Sequence, residues 1–414
     1  MNSNDECLPR LRNVEPMPVV VGGTEAIALK DPLGLADEVI CLRRESLSLL
    51  FFLDGLHSVI DVQAELMRRT GRLVMSSDIL ALVDRLDGAC LLESDHFRER
   101  YAEKVREFRS RPFRPAAHSG LSYSGDPTDL RADLNSFFTA SDGPGLPVFS
   151  NGSQRPVGLI APHIDIRSGG RCFAHAYQAL GSAPASDIYV IFGTGHAGVE
   201  NLFTASYLDF DTPLGLVQTD KDFVRELSDR LGTDAAEEEI LHEKEHVIEF
   251  QALFLQLVFG GRTPFKIVPI LVAVSPYFFT DHPQMRDKRD KFDRFCEALT
   301  ATCRASSGSI CFIASADLDH VGPRYGDSFT PDPAMISRSL ARDKQTIGYL
   351  ERLETDAFMH DVAVDNDTRR ICGFSPIMAM MNCMEATEGR LLDLDFAYVD
   401  NRNSFVSFAS VVFY

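Results

Sequence analysis

From residue 157 onward the sequence alternates short apolar, β-rich runs with helical stretches, and this alternation constrains the fold more than any other feature. Residues 157–161, 187–192, 202–210, 267–272 and 310–315 read as strands, and 405–414 as a late strand. Residues 169–180, 220–231, 247–258 and 291–303 read as helices between them. Strands that are apolar at consecutive positions are covered on both faces. The expected fold class is therefore α/β, a mostly parallel central sheet covered by helices.

In such a sheet, side chains just past the carboxyl ends of strands converge on one crevice. His163, His196 and His320 each follow a strand run, and His246 opens a helix in Glu245-His246-Val-Ile-Glu249. Imidazoles and carboxylates converging at one place suit a divalent metal.

Composition narrows the function classes. The 414 residues carry 60 acidic against 41 basic side chains, a formal net charge of −19. That balance disfavours a nucleic-acid or anionic-membrane surface. The nine cysteines are scattered with no C-x-x-C pair, so neither a zinc ribbon nor a disulfide framework is expected. Free thiols in a reducing cytoplasm are the simpler reading. Residues 1–18 have no apolar leader core. No run approaches the roughly 18 apolar residues of a membrane span.

Residues 1–96 read as a separate small domain. Strand candidates at 19–21, 26–29 and 38–42 precede helical patterns at 46–53, 58–69 and from Ser76, with 89–92 as a wing strand. Three short helices with β-ribbons suggest a winged helix. Its third helix offers Arg85 beside Asp78, Asp84 and Asp87. A groove-reading helix should be positive, so peptide or protein contact is expected rather than DNA. Residues 97–115 alternate in charge and read as a helical linker ended by Pro112 and Pro115. Residues 116–414 form the expected metal-binding domain.

Several motifs occur in order across that last part: Ala117-His118-Ser119-Gly120, Ala161-Pro162-His163, Gly193-Thr194-Gly195-His196, Thr212-Pro213-Leu214-Gly215, Glu245-His246-Val-Ile-Glu249, Val268-Pro269-Ile270, Ser315-Ala316-Asp317-Leu318-Asp319-His320 and Cys372-Gly373-Phe374-Ser375-Pro376. This series resembles the Memo family, whose fold is like that of class III extradiol ring-cleavage dioxygenases. The first hundred residues resemble small peptide-chaperone domains related to the pyrroloquinoline-quinone biosynthesis D protein (PqqD-like). The fused layout is similar to protein B of the AmmeMemoRadiSam system. That resemblance implies radical-SAM and AMMECR1-like protein partners and a small-molecule or peptide substrate.

The resemblance also implies site roles. The ligand that is cysteine in animal relatives falls at Asp319, which makes His163, His196 and Asp319 the expected metal set. Two histidines and one carboxylate suit non-haem Fe(II), with copper or zinc as alternatives. His246 is the candidate acid/base, with His320 a pocket wall or proton carrier. His118, Asp165, Arg167, Glu249, Asp317 and Cys372 are expected around the ligands or substrate. Asp317 shares a strand with Asp319 and can orient a ligand histidine. His242, among Glu237, Glu238, Glu239, Glu243 and Glu245, reads as surface. The expected activity is that of a metal-dependent, dioxygenase-like oxidoreductase. The alternatives are a non-catalytic binding or maturation component that presents a peptide, and a metal-binding regulator.

Overall fold

Strands apolar along their whole length need cover on both faces, and the central sheet has it. The computed structural model describes residues 6–414 except 37, 44–45, 72, 151, 281 and 365–366. The chain divides into two compact units, Met1–Ser110 and Arg111–Tyr414.

In the first unit, β1 (Glu15–Val21) and β2 (Thr24–Lys30) form an antiparallel hairpin, turning at Gly22 and Gly23, both with positive φ. β3 (Ile40–Arg43) pairs with β2 and stands at the edge of this three-stranded sheet. The helices follow: α1 (Leu47–Leu50), α2 (Val59–Thr70), α3 (Ser76–Gly88) and α4 (Asp95–Arg109). The Ser58 side chain accepts from the Asp61 N–H while Asp61 reaches back to the Ser58 N–H, a capping box that starts α2. Gly71, left-handed at φ 71°, ends it. Ile79, Val83 and Leu86 are the buried face of α3. The expected helix over 46–53 shrinks to the single turn of α1, and 89–92 contributes only an isolated bridge between Leu11 and Leu92. The charged stretch is helical as α4, which belongs to the first unit.

The second unit begins with β4 (Phe113–Arg114) and α5 (Pro127–Thr139). It continues through β5 (Gly158–Ala161), α6 (Ile166–Gly181), β6 (Ile188–Thr194), β7 (Phe203–Ala205), β8 (Asp209–Phe210), α7 (Lys221–Leu231), α8 (Val247–Phe259) and β9 (Lys266–Val272). Then come α9 (Arg286–Ala305), β10 (Ile310–Ser315), β11 (Asp317–Val321), α10 (Pro333–Glu351), α11 (Thr355–Ala363), α12 (Phe374–Cys383), β12 (Gly389–Tyr398) and β13 (Phe405–Phe413). The eight-stranded sheet runs β11-β13-β5-β10-β6-β9-β7, with β12 also on β13. Its centre, β5, β10, β6 and β9, is parallel. Both flanks are antiparallel, so the sheet is mixed where a mostly parallel one was expected.

Alternate residues of each strand feed two cores. Val190, Phe192, Val268, Ile270 and Phe312 pack with residues of α7, α9 and α12. Tyr189, Ile191, Ile267, Leu271 and Ile313 pack on the other face with residues of α5, α6 and α8. The expected strand over 202–210 is two short pieces, β7 and β8, the second pairing with β4. Among the described residues, no helix is long and apolar enough to cross a membrane.

Candidate metal centre

The chain leaves β5 and β6 at their carboxyl ends and places His163 and His196 side by side, ring centroids 5.3 Å apart. Each imidazole has one nitrogen engaged. His163 Nδ1 lies 2.9 Å from the Ser315 carbonyl, so it donates a proton there. His196 Nδ1 lies 3.1 Å from Glu245 Oε1 and donates to that carboxylate. These partners occupy both Nδ1 atoms and turn each Nε2 toward the crevice. His163 Nε2 is 3.1 Å from the Cys372 sulfur. Ligand atoms of His163, His196 and Cys372 all fall within 4.8 Å of one another.

Cys372 arrives from far along the sequence, on the loop before α12. Thr194 Oγ1 donates to its carbonyl at 2.8 Å, and the Gly373 N–H donates to the Asp317 carbonyl at 2.9 Å. A side chain at 373 would place its Cβ 2.5 Å from the Asp317 carbonyl oxygen and 2.6 Å from Ala316 Cβ. Glycine there lets the loop lie against the strand ends. Burial alone would raise the Cys372 thiol. Charge from His163 and His320, with hydrogen bonds from His163 and His196, outweighs it and holds the thiol well below its ordinary range. A thiolate beside two imidazoles whose Nδ1 atoms are already engaged is a donor set that fits a metal ion, which would displace the Nε2 protons on binding.

Asp319 is not part of this set. β11 carries a register shift between Asp317 and His320 where it pairs with β13, and such a bulge breaks the simple alternation of faces. Asp317 stays with the site: its Oδ1 accepts the His163 backbone N–H at 2.9 Å, and its Oδ2 lies 3.6 Å from His163 Nε2. Asp319 instead accepts from Ser339 of α10 at 2.5 Å and lies 3.6 Å from Arg369. Cys372, expected only at the pocket wall, stands in this group where the expected set had Asp319.

His246 sits beside the pair, its ring stacked on His196 at 5.4 Å and 5.7 Å from His163. Its Nδ1 donates to the same Glu245 Oε1, at 3.1 Å, which leaves Nε2 as an acceptor. Glu245 therefore orients two imidazoles at once, a role that sequence reasoning missed. Its position directly before His246 was the available signal. Burial would raise Glu245, but hydrogen bonds from His196 and His246 hold it well below the carboxylate range. The start of α8 is close because Gly193 has no side chain; a Cβ there would meet Val247 Cγ2 at 2.2 Å.

His320 donates Nδ1 to the Leu318 carbonyl at 2.9 Å and meets the Tyr325 ring edge-on at 4.9 Å. Burial lowers its pKa, but the nearby Cys372 outweighs that and raises it. His118 lines the His246 side, ring centroids 5.6 Å apart, with Nε2 on the Lys244 carbonyl at 2.9 Å. Glu249 lies under the site rather than in it. It is fully buried, bonded to Arg114 and Tyr123 and accepting the N–H groups of Ala117 (3.1 Å) and His118 (3.0 Å). Asp165 caps α6 through the Arg167 N–H at 3.0 Å, and both side chains are exposed. His242 is buried, not at the surface, its Nε2 donating to the Thr204 carbonyl at 3.0 Å. His163 is buried, whereas the His196 side chain is 39% exposed, so the group opens to solvent on that side.

Fold and site together define a mixed α/β protein with a two-histidine, one-cysteine group able to hold a metal. The profile of the Memo-like protein family matches residues 114–412, and the chain belongs to that family. A MEMO1 family protein of Aquifex aeolicus is 27% identical over 394 residues, covering 94% of this chain and 96% of its own length. Coverage that wide takes in most of the first unit as well. A MEMO1 family protein of Thermus thermophilus is 27% identical over 339 residues, 80% of this chain and 91% of its own. Another, from Methanopyrus kandleri, is 29% identical over 285 residues, 67% of this chain and 90% of its own.

Proposed function

We propose that this chain is a metal-dependent, oxidoreductase-like protein in which His163, His196 and Cys372 hold one redox-active ion. The carrying observation is the pair of engaged Nδ1 atoms, one on the Ser315 carbonyl and one on Glu245, with His163 Nε2 facing the sulfur. Hydrogen-bonded imidazoles of this kind are pre-arranged for ligation. Such an ion supplies Lewis acidity and one-electron chemistry toward a small substrate bearing a chelating oxygen pair. Fe(II), expected from a carboxylate set, competes here with copper, which the softer thiolate favours; zinc fits the donors but does no redox chemistry.

The chain's own groups supply the rest. His246 takes a substrate proton on Nε2, because Glu245 holds its Nδ1–H. His320, backed by the Leu318 carbonyl and close to Cys372, returns a proton. The test is anaerobic titration with iron and with copper, followed by O₂ uptake with a panel of catechols. One equivalent bound by the wild type and none by the His163→Ala, His196→Ala double variant supports the reading. Full metal content in the double variant refutes it.

A second reading concerns the first unit, and a groove there favours it. The groove, about 830 Å³, runs beside the edge strand β3 and is lined by Leu42, Leu49, Leu66, Val74 and Leu82 among others. An edge strand next to an apolar groove suits an added peptide strand. The unit would present a peptide, or bind a radical-SAM or AMMECR1-like partner, while the second unit carries the metal. Cys41→Pro on that edge should abolish partner binding and leave metal content unchanged. Undiminished binding by this variant rules the edge out.

A further inference from the structure

Behind the metal centre lies a buried ionic cluster that the proposed chemistry does not use. Arg369 Nη2 is 3.1 Å from Asp361 Oδ2, and its Nη1 is 3.1 Å from Thr346 Oγ1. The same Nη1 lies 3.6 Å from both Asp319 and Asp343. Ser339 and Ser407 donate to Asp319 and Asp343, each at 2.5 Å. Arg342 reaches Asp361 Oδ1 at 2.7 Å. Asp343 is fully buried, and its carboxyl shares the Arg369 Nη1 with that of Asp319. Burial first, and the Asp319 carboxylate next, push the Asp343 carboxyl well above the carboxylate range. With one proton on that pair, three carboxyls and two guanidiniums leave the cluster neutral.

A buried ionic network is weak evidence for stability, since apolar residues of similar volume often do as well. Its geometry here points to placement. The Arg369 carbonyl accepts the His320 N–H at 2.8 Å, and four residues on, Gly373 bonds the Asp317 carbonyl at 2.9 Å. Cys372 lies between these two stitches. Asp367 and Arg370 hold left-handed backbone at φ 54° and 52°, a strain that persists only where the surroundings over-determine it. Arg370 bonds the His320 carbonyl at 3.1 Å and Asp327 at 2.7 Å. The loop that carries the sulfur is thus pinned from its amino-terminal side, and Arg369 is the pin that reaches α10, α11 and β11 together.

We propose that Arg369, clamped among Asp319, Asp343 and Asp361, is a positioning residue that holds the Cys372 sulfur opposite His163 and His196; this rests on the metal-centre reading above. The Asp319 and Asp343 carboxyls, each 3.6 Å from the same Nη1, complete the clamp.

The test combines a measurement on the metal-free chain with one on the Co(II)-loaded chain. In the metal-free chain, Arg369→Gln should speed backbone hydrogen exchange at 317–321 and 369–374 by roughly 10-fold or more, and leave 158–163 and 188–196 unchanged. With Co(II), the same variant should lose the thiolate-to-cobalt charge-transfer band, and metal affinity should fall roughly 10–100-fold, the usual cost of losing an outer-shell partner. Should Arg369→Gln fail to fold, Arg369→Lys carries the same test, because an ammonium cannot span Asp361 and the Asp319–Asp343 pair with a planar fork. Wild-type exchange and an intact band in a folded Arg369 variant overturn the proposal. Uniformly faster exchange across the second unit also overturns it, since that is lost stability without placement. A wild-type chain that takes up no Co(II) refutes the metal reading instead, and the local exchange result still decides whether Arg369 places the loop.

Discussion

The His163 Nε2 atom lies 3.1 Å from the Cys372 sulfur across 209 positions of sequence. Two features make that contact. The parallel strand β5 ends so that His163 faces the strand-end crevice, and the side-chain-free Gly373 lets the Cys372 loop lie against Ala316 and Asp317. The result is a thiolate among imidazoles whose outer nitrogens are already spoken for.

Glu245 is the residue whose loss should be felt at both His196 and His246. Glu245→Gln keeps the size but turns one acceptor oxygen into a donor, which opposes an Nδ1–H already pointing there. Metal affinity should fall roughly 10–100-fold with the fold intact. Isothermal titration of the variant checks this, and unchanged affinity would mean that the tautomer of His196 is set elsewhere.

His246→Gln should separate proton transfer from metal holding. Its Nε2 is free to accept, and its Nδ1 bonds only to the orienting carboxylate among the contacts described above. Metal content should stay near that of the wild type, and any turnover found should drop about 10²–10⁴-fold, the usual size of a general-base effect. Equal loss of metal would move His246 among the ligands.

His242 gives the second unit a pH dependence of known sign. Burial depresses it from 6.5 to about 4, the Thr204 carbonyl opposing only in part. Between those values the unfolded chain binds a proton that the folded chain does not. Stability contributed by neutral His242 is therefore full above about 6.5 and is lost as pH falls toward 4, on the order of 3 kcal/mol in all. Denaturant titration across this window should show that slope flattened in His242→Gln, whose amide can still donate to Thr204. An unchanged slope would place the titration at another group.

Much of this was legible in the sequence, and the losses have particular causes. His163 and His196 follow continuously apolar strands, so their placement at strand ends could be read directly. Asp319 lies apart from the histidines because a bulge in β11 separates it from Asp317, and a one-residue slip in a strand reverses faces. Cys372 carried no local signal as a ligand, since only tertiary folding brings it to the histidines. α10 escaped notice because the side it buries includes Asp343 and Thr346, which blurs the apolar period of a helix. His242 looked exposed among acids, yet the neighbouring Glu239 is itself buried, accepting from Ser206 at 2.8 Å and from the Tyr207 N–H at 2.5 Å.

The central claim is that the third donor is sulfur and not the Asp319 carboxylate. The most direct measurement is bound metal per chain, by elemental analysis after anaerobic reconstitution, in Cys372→Ala and Asp319→Asn side by side. The account predicts about one equivalent in the wild type and in Asp319→Asn, with little or none in Cys372→Ala. Full occupancy in Cys372→Ala together with loss in Asp319→Asn would contradict it and restore the two-histidine, one-carboxylate site.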